Sequence, residues 1–384
     1  MISETWYINF VARPPDKYGE IVRALEGQLA AGVYQPGDRV PSENELAVHF
    51  SVSRPTAARA LRELEAAGLV DRRLGSGTYV RKGRLQSQRS GQRTFGLLVP
   101  GLGATEILDP ICTEITKVCQ AAGSNVLWGD TSSPSDAVTE VDRLCRYYLD
   151  REVDGVFFVP LEAVPDRQAH NIRIAELMRS AGVALVLLDR DTLDYPDRSC
   201  FDLVGIDNFQ AGHQVGHHLL QDGRRRIRFL ARPQHPPTTD LRASGVRDAL
   251  DRAGVEVEGR FQLSGVPDDD EFVRSVIDQE RPDAIACSND RTAALLIQAL
   301  SRSGVSVPDD VAVVGFDDVR YSTLLSVALT TMKQPLAGIA RAAVKAIDDR
   351  IDKPEMEPRQ ILLSAELIIR QSCCGLAGAA AGRH

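Results

Sequence analysis

The sequence predicts two unlike folding units. The first is a small α+β head in the winged helix-turn-helix pattern. The second is a larger α/β body with doubly wound parallel sheets in two lobes. Three observations predict this division. Residues 16–80 show three helical stretches followed by two short alternating stretches. Residues 94–372 alternate apolar runs with amphipathic stretches, the signature of repeated βαβ units. The charge also divides there. The first 92 residues carry 13 Lys+Arg against 10 Asp+Glu, and the rest carry 32 against 43. The overall net charge of −8 therefore hides a basic head on an acidic body.

In the head, Tyr18–Ala31 places Ile21, Val22, Leu25 and Leu29 on one stripe, and Gly32 stops it. Ser42 is the expected N-cap of a second helix, with Glu45 completing a capping box. Ser53 is the expected N-cap of a third, running to Ala67 with Ala57, Leu61 and Leu64 inward. Leu69–Arg73 and Thr78–Arg81 then read as strands around a tip at Gly75-Ser76-Gly77. The major groove of DNA admits one helix, whose first residues reach base edges. Small residues at a wing tip let backbone approach a phosphate. Ser53 also has a plain reading as a cap, and Arg62, Arg72 and Arg73 as solvated charges. Arg54 is harder to explain without an anion.

These residues carry a family resemblance. Lys17-Tyr18, Gly32, Pro36-Gly37, Val40-Pro41-Ser42-Glu43-x-Glu45-Leu46-Ala47, Val52-Ser53-Arg54-x-Thr56 and Gly75-x-Gly77-Thr78-Tyr79-Val80 resemble the GntR-family DNA-binding head. The resemblance implies that Ser53, Arg54 and Thr56 open the recognition helix and that Gly75 lies at the wing tip. The expected DNA-binding set is Ser42, Asn44, Ser53, Arg54, Thr56, Arg59, Gly75 and Ser76. The sequence departs from the family at Asn44 and Ala58, where basic residues are frequent; Arg59 lies one position further on.

Residues 81–93 hold five basic residues, no acid and one large apolar residue, and read as a basic linker. In the body, Phe95–Val99, Asn125–Leu127, Gly155–Val159, Ala184–Leu188, Ile227–Leu230, Ala284–Cys287 and Val311–Phe316 read as buried parallel strands. The helical stretches are Ile107–Gln120, Asp136–Leu149, Ile172–Ser180, Phe209–Gln221, Asp240–Arg252, Asp270–Gln279 and Arg291–Arg302. In such sheets ligands bind beyond the carboxyl ends of the strands. That rule points to Pro100–Thr105, Gly129–Thr131, Pro160-Leu161, Asp189-Arg190, Ser288–Asp290 and Asp317-Asp318.

The body resembles the ligand-binding domain of the LacI/GalR family, a relative of periplasmic sugar-binding proteins. The resemblance rests on Leu187-Leu188-Asp189-Arg190, Val204-Gly205-Ile206-Asp207-Asn208-x-x-Ala211-Gly212, Arg242-x-x-Gly245, Cys287-x-Asn289-Asp290, Val313-Val314-Gly315-Phe316-Asp317-Asp318 and Gln334-Pro335. Glu366–Ser372 matches the family's closing strand. Matched positions imply effector contacts at Asp189, Arg242, Asn289, Asp317 and Gln334, with Arg190 adjacent. Asp290 and Asp318 have a plain reading as caps, and Asp207-Asn208 reads as a lobe-crossing turn. A GntR-like head in place of the LacI/GalR one resembles the AraR-like regulators. That implies a sugar-type effector without fixing which, because loops Pro100–Ile111, Asp130–Pro134 and Gln234–Thr239 carry no signature.

The expected function is a ligand-responsive transcriptional regulator, a repressor of carbohydrate-utilisation genes released by a sugar. It would bind double-stranded operator DNA as a homodimer. The alternatives are a nucleobase or other polar effector, an activator, a sugar-processing enzyme, or a periplasmic binding protein. The enzyme reading is opposed by the lack of G-x-G-x-x-G after a strand, of G-x-x-x-x-G-K-[ST] and of G-x-S-x-G. His213 and His217 are four apart, but no third ligand is marked nearby, so no metal or cofactor is expected. Seven scattered cysteines without C-x-x-C support neither a disulfide framework nor a zinc site. No run of about 18 apolar residues occurs. The first residues, with Glu4 and Asp16, do not have the form of a secretory signal. The expected setting is the cytoplasm, with residues 373–384 a disordered tail.

Overall fold

The computed structural model describes residues 17–30, 33–34, 37–66, 69–73, 76–80, 92–100, 106–129, 137–162 and 164–373. Two compact units divide the chain, one within Met1–Ser90 and the other Gly91–Arg179 with Val183–His384.

In the head, α1 (Lys17–Ala30), α2 (Glu43–His49) and α3 (Arg54–Ala66) precede β1 (Val70–Arg73) and β2 (Gly77–Val80). The strands pair antiparallel. Ile21, Leu25, Leu46, Ala57, Leu61 and Leu64 form the fully buried centre. Val22 packs at its edge; the Leu29 side chain lies outside the described residues. The capping box closes in both directions. Glu45 N–H donates to Ser42 Oγ at 3.3 Å, and Ser42 N–H donates to the Glu45 carboxylate at 2.7 Å. These bonds occupy two donors that a helix start leaves unsatisfied.

The body holds two six-stranded sheets. The first runs β4 (Asn125–Trp128), β3 (Thr94–Leu98), β5 (Gly155–Phe158), β6 (Ala184–Leu188), β7 (Asp202–Ile206), β13 (Gln360–Leu363). All its pairings are parallel. The second runs β9 (Gln262–Ser264), β8 (Ile227–Ala231), β10 (Ala284–Cys287), β11 (Ala312–Asp317), β12 (Thr330–Lys333), β14 (Glu366–Ile368), with only β14 antiparallel. Helices cover both faces of each sheet, which is why the strand sequences read as unbroken apolar runs. On the first sheet, α4 (Leu108–Ala121) and α11 (Leu336–Asp352) take one face, and α5 (Ala137–Asp150) and α6 (Arg167–Ser180) the other. On the second, α7 (Asn208–Gln221) and α8 (Pro237–Arg252) oppose α9 (Asp270–Glu280) and α10 (Asp290–Arg302).

Among the described residues the chain crosses between lobes three times, at Ile206–Asn208, Lys333–Leu336 and Leu363–Glu366. Two glycines fix the packing beside the first crossing. A Cβ at Gly212 on α7 would meet the Arg242 carbonyl oxygen at 2.0 Å, and one at Gly245 on α8 would meet that of Phe209 at 2.0 Å. Only hydrogen at both positions lets α7 and α8 touch backbone to backbone.

Several elements depart from expectation. β7, β9, β12, β13 and α11 were not predicted as elements. β7 begins with Asp202, a residue that ordinarily marks a loop. Here Asp202 is fully buried because Arg350 and Arg359 reach it at 3.1 and 3.2 Å, and the Arg359 N–H donates to it at 2.8 Å. The basic linker ends earlier than residue 93. Arg93 pairs with Asp348 and Asp352 of α11, and its carbonyl accepts from Asn125 N–H at 2.7 Å. The tail starts later than residue 373, since Cys373 is fully buried. Residues 374–384 and 81–91 lie outside the described residues.

Breaking a buried ion pair by removing one partner costs about 3 kcal/mol or more. Asp202→Asn is therefore expected to lower the unfolding free energy by about 3 kcal/mol, read as a lower urea midpoint at unchanged slope. A midpoint shift near zero would show the Arg350–Asp202–Arg359 cluster to be dispensable.

Candidate functional site

Strand ends build the candidate site in the body. Asp189 and Arg190 follow β6, Ser288 and Asn289 follow β10, Asp317 ends β11, and Gln334 follows β12. These are the carboxyl ends, where an open α/β sheet exposes its loops. The structure brings all six expected residues, Asp189, Arg190, Arg242, Asn289, Asp317 and Gln334, to one cavity of about 530 Å³. Both lobes contribute to its wall. Glu106, Ile107, Leu108 and Glu162 come from the first lobe, and Arg232–Pro236, Thr238, Thr239, Arg291 and Thr292 from the second.

Arg242 is the hub. It is only 6% exposed. Its Nε donates to Asn208 Oδ1 at 2.8 Å and its Nη1 to the Ser288 carbonyl at 2.6 Å. Its Nη2 lies 3.7 Å from Asp317 Oδ1, and its plane lies over the Phe316 ring at 4.8 Å. Gln334 donates to the same Asp317 oxygen at 2.8 Å. A second guanidinium, Arg190, is spoken for by the Pro160 carbonyl at 2.9 Å, Glu162 at 2.6 Å and Asp189 at 3.2 Å. Asp189 and Asp317 have φ of +69° and +113°, a region that L-residues rarely adopt. Such strain persists where surrounding contacts over-determine it, and it clusters at functional sites. Burial pushes Asp317 up to about 6, against the pull of Arg242 and Gln334.

Some roles differ from expectation. Asn289 lines the cavity, but its Oδ1 also caps α10 by accepting from Thr292 N–H at 2.9 Å. Asp290, expected as a possible cap, is instead fully buried. It accepts from Val319 N–H at 2.9 Å and Thr331 Oγ1 at 2.5 Å. Asp318 binds Arg370 at 2.6 Å and Ser322 at 3.2 Å, and so anchors the closing segment. Asp207 caps α7 through Gln210 N–H at 2.9 Å, while Asn208 is buried against Arg242. Sequence reasoning missed Asn208 as the acceptor that holds Arg242, because a crossover turn gives no sign that its amide will turn inward. Glu162 lies one residue beyond the Pro160-Leu161 strand end that the positional rule selects. Across the cavity edge, Tyr321 donates to Glu106 at 2.6 Å and joins the two lobes.

In the head, Ser53, Arg54, Asn44, Arg59 and Ser76 are exposed and Thr56 half-buried. Gly75 lies outside the described residues. Ser53 Oγ accepts from Thr56 N–H at 3.4 Å and so also caps α3, and it shares a hydrogen with Thr56 Oγ1 at 2.8 Å. Arg59 stacks over Tyr18 at 4.2 Å. Ser76 Oγ meets Tyr79 OH at 2.8 Å. The anion that Arg54 required is Glu43, at 3.1 Å, and Arg72 pairs with the same carboxylate rather than standing solvated.

His213 is held by Asp248 at 2.9 Å and stacks on His217 at 6.4 Å. Among the described residues there is no group of three metal-ligating side chains, and no helix is long and apolar enough to cross a membrane.

A helix-turn-helix head with a hairpin wing, joined to a two-lobed body with a polar cavity, defines a ligand-controlled DNA-binding protein. Comparisons with known proteins agree. Residues 17–80 match the bacterial regulatory proteins of the gntR family, and residues 217–373 match the periplasmic binding protein-like domain. The arabinose metabolism transcriptional repressor of Geobacillus stearothermophilus is 27% identical over 369 residues, covering 93% of this chain and 97% of that one. The HTH-type transcriptional regulator CelR of Thermobifida fusca is 31% identical over 241 residues, covering 61% and 67%. Among solved structures, a CelR–cellobiose complex superposes with a TM-score of 0.63 at 24% identity, covering 87% of this chain and all of that chain, which shows the shared fold. The chain belongs to the transcriptional regulators that join a gntR-family head to a periplasmic-binding-protein-like domain.

Burial, with Asp317 nearby, pushes Asp290 up to about 8 from an ordinary 3.8. The folded chain thus takes up a proton that the unfolded chain lacks between those values. Stability from this group is present at low pH and is lost as pH rises through that window. Expected outcome: the melting temperature of the wild type falls relative to Asp290→Asn as pH rises from about 4 to about 8. Parallel melting curves would place this carboxyl among ordinary ones.

Proposed function

We propose that the protein is a ligand-released repressor of carbohydrate-utilisation genes, acting in the cytoplasm as a homodimer on a two-fold operator. Its effector in this reading is a sugar-type polyol held in the body's cavity. The observation that carries the proposal is the set Asp189, Arg190, Arg242, Asn289, Asp317 and Gln334 around that cavity. Each sugar hydroxyl is both donor and acceptor. Carboxylates accept from it, guanidinium and amide N–H groups donate to it, and pairs of such groups match vicinal hydroxyls. The charged groups are already ordered by one another, so little rotamer freedom remains to be lost on binding. The arabinose-metabolism repressor and the cellobiose-bound regulator are relatives of matching kind. In this reading Asp189, Arg190, Arg242, Asn289, Asp317 and Gln334 contact the effector. Ser42, Asn44, Ser53, Arg54, Thr56, Arg59 and Ser76 face DNA.

Regulation follows from linkage. A sugar that binds the closed cleft more tightly than the open one shifts the population toward closure. It changes operator affinity by the same coupling energy, typically about 1–3 kcal/mol.

The test is a thermal-shift screen of the full chain against free aldopentoses, aldohexoses and disaccharides. A ligand at 100 times its Kd adds about 2.7 kcal/mol. The matching sugar is expected to release a duplex selected by the protein from a randomised library. Asp189→Asn is expected to weaken that sugar at least about ten-fold, the effect of losing a charge-assisted bond, while sugar-free DNA binding stays intact. If no sugar raises the melting temperature, the effector class is wrong.

A further inference from the structure

The first residue of α2, the first residue of α3 and the third residue of β1 meet at one carboxylate. Glu43 Oε2 accepts from Arg54 Nε at 3.1 Å, and Glu43 Oε1 accepts from Arg72 Nη2. The Glu43 side chain is 19% exposed, Arg72 33% and Arg54 67%. One acid thus ties the opening of α3 to the wing strand and to the helix before it.

Stability is a weak reason for such an arrangement. Exposed ion pairs contribute little to stability. A carboxylate beside the basic face of a DNA-binding head also repels phosphates, which are the main source of non-specific affinity. Its presence there calls for a different account. A free arginine side chain has many rotamers, and its planar fork is useful only when aimed. With Nε held by Glu43, the Arg54 Nη1 and Nη2 groups carry no partner among the described residues. Two N–H groups pointing the same way match guanine O6 and N7 in the major groove.

We propose that Glu43 is a positioning residue for sequence reading. It holds Arg54 with its fork presented for a base edge and ties the Arg72 wing strand to the same anchor, while its charge weakens binding to DNA in general. Both effects widen the gap between the right sequence and all others, one by improving the correct complex and one by penalising the rest. Glu43 lies outside the set of groups read as touching DNA, and it acts through Arg54.

The experiment uses the full chain and a duplex it selects from a randomised library, with a base-scrambled duplex of equal length and composition. Fluorescence anisotropy gives Kd on both duplexes over a salt series for wild type, Glu43→Gln, Arg54→Lys and the double variant. Glu43→Gln is expected to bind the selected duplex about ten-fold more weakly, within the range for one bidentate arginine–base contact. The same variant is expected to bind the scrambled duplex as well as wild type or better, with an unchanged melting temperature. The double variant is expected to bind the selected duplex no more weakly than Arg54→Lys alone, because the two residues act as one unit. Three outcomes would overturn the proposal: equal losses on both duplexes with a lower melting temperature, equal gains on both, or an unchanged specificity ratio. Failure to select any duplex would instead overturn the DNA-reading role on which the proposal rests.

Discussion

A buried guanidinium imposes the central constraint on the body. Removing the Arg242 charge from water is costly unless each donor finds an acceptor. The acceptors come from distant parts of the chain: Asn208 at the first lobe crossing, Ser288 after β10 and Asp317 at the end of β11. Gln334, at the second crossing, secures Asp317 in turn. The requirement to satisfy one cation therefore fixes two of the three crossings and two strand ends relative to α8. The glycine contacts between α7 and α8 serve the same end, since added side chains there would hold Arg242 away from Asn208. A cavity lined by groups ordered in this way meets a ligand with its hydrogen-bonding partners already aimed.

Legibility in the sequence followed the locality of the interaction. The Ser42–Glu45 box and the Ala57, Leu61, Leu64 stripe depend on neighbours within a turn or two, and they were readable directly. The strand ends bearing Asp189, Asn289 and Asp317 were readable because apolar runs stop there and a general rule says what lies beyond. Asp202 defeated the reading for the opposite reason. Its burial depends on Arg350 and Arg359, about 150 positions away, and nothing near Asp202 announces them. Arg93 is similar, being matched by Asp348 and Asp352 on α11. Glu43 was read as part of a helix start, because its two arginine partners lie 11 and 29 residues on.

The two units use charge differently. In the body, arginines and carboxylates are buried in compensated groups, and the cavity presents fixed donors and acceptors with little unbalanced charge. In the head, the arginines remain largely exposed, and one acid among them orders the array without cancelling it. Affinity for a polyanion needs an excess of one sign. Recognition of a small molecule through hydrogen bonds needs direction instead.

The interleaved connectivity of the body has a consequence for its birth on the ribosome. The first lobe takes α11 and β13 from residues 336–363, after the whole second lobe has been synthesised. Until then one face of its sheet lacks one of its two covering helices and β7 has a bare edge. The head, whose last strand ends at Val80, has all its pairing partners within the first fifth of the chain. Domains fold as they emerge, so the nascent polypeptide acquires its reader long before its sensor. A message truncated within the second lobe would release an unresponsive head attached to a sticky, half-built sheet, making such fragments natural targets for chaperones and proteases.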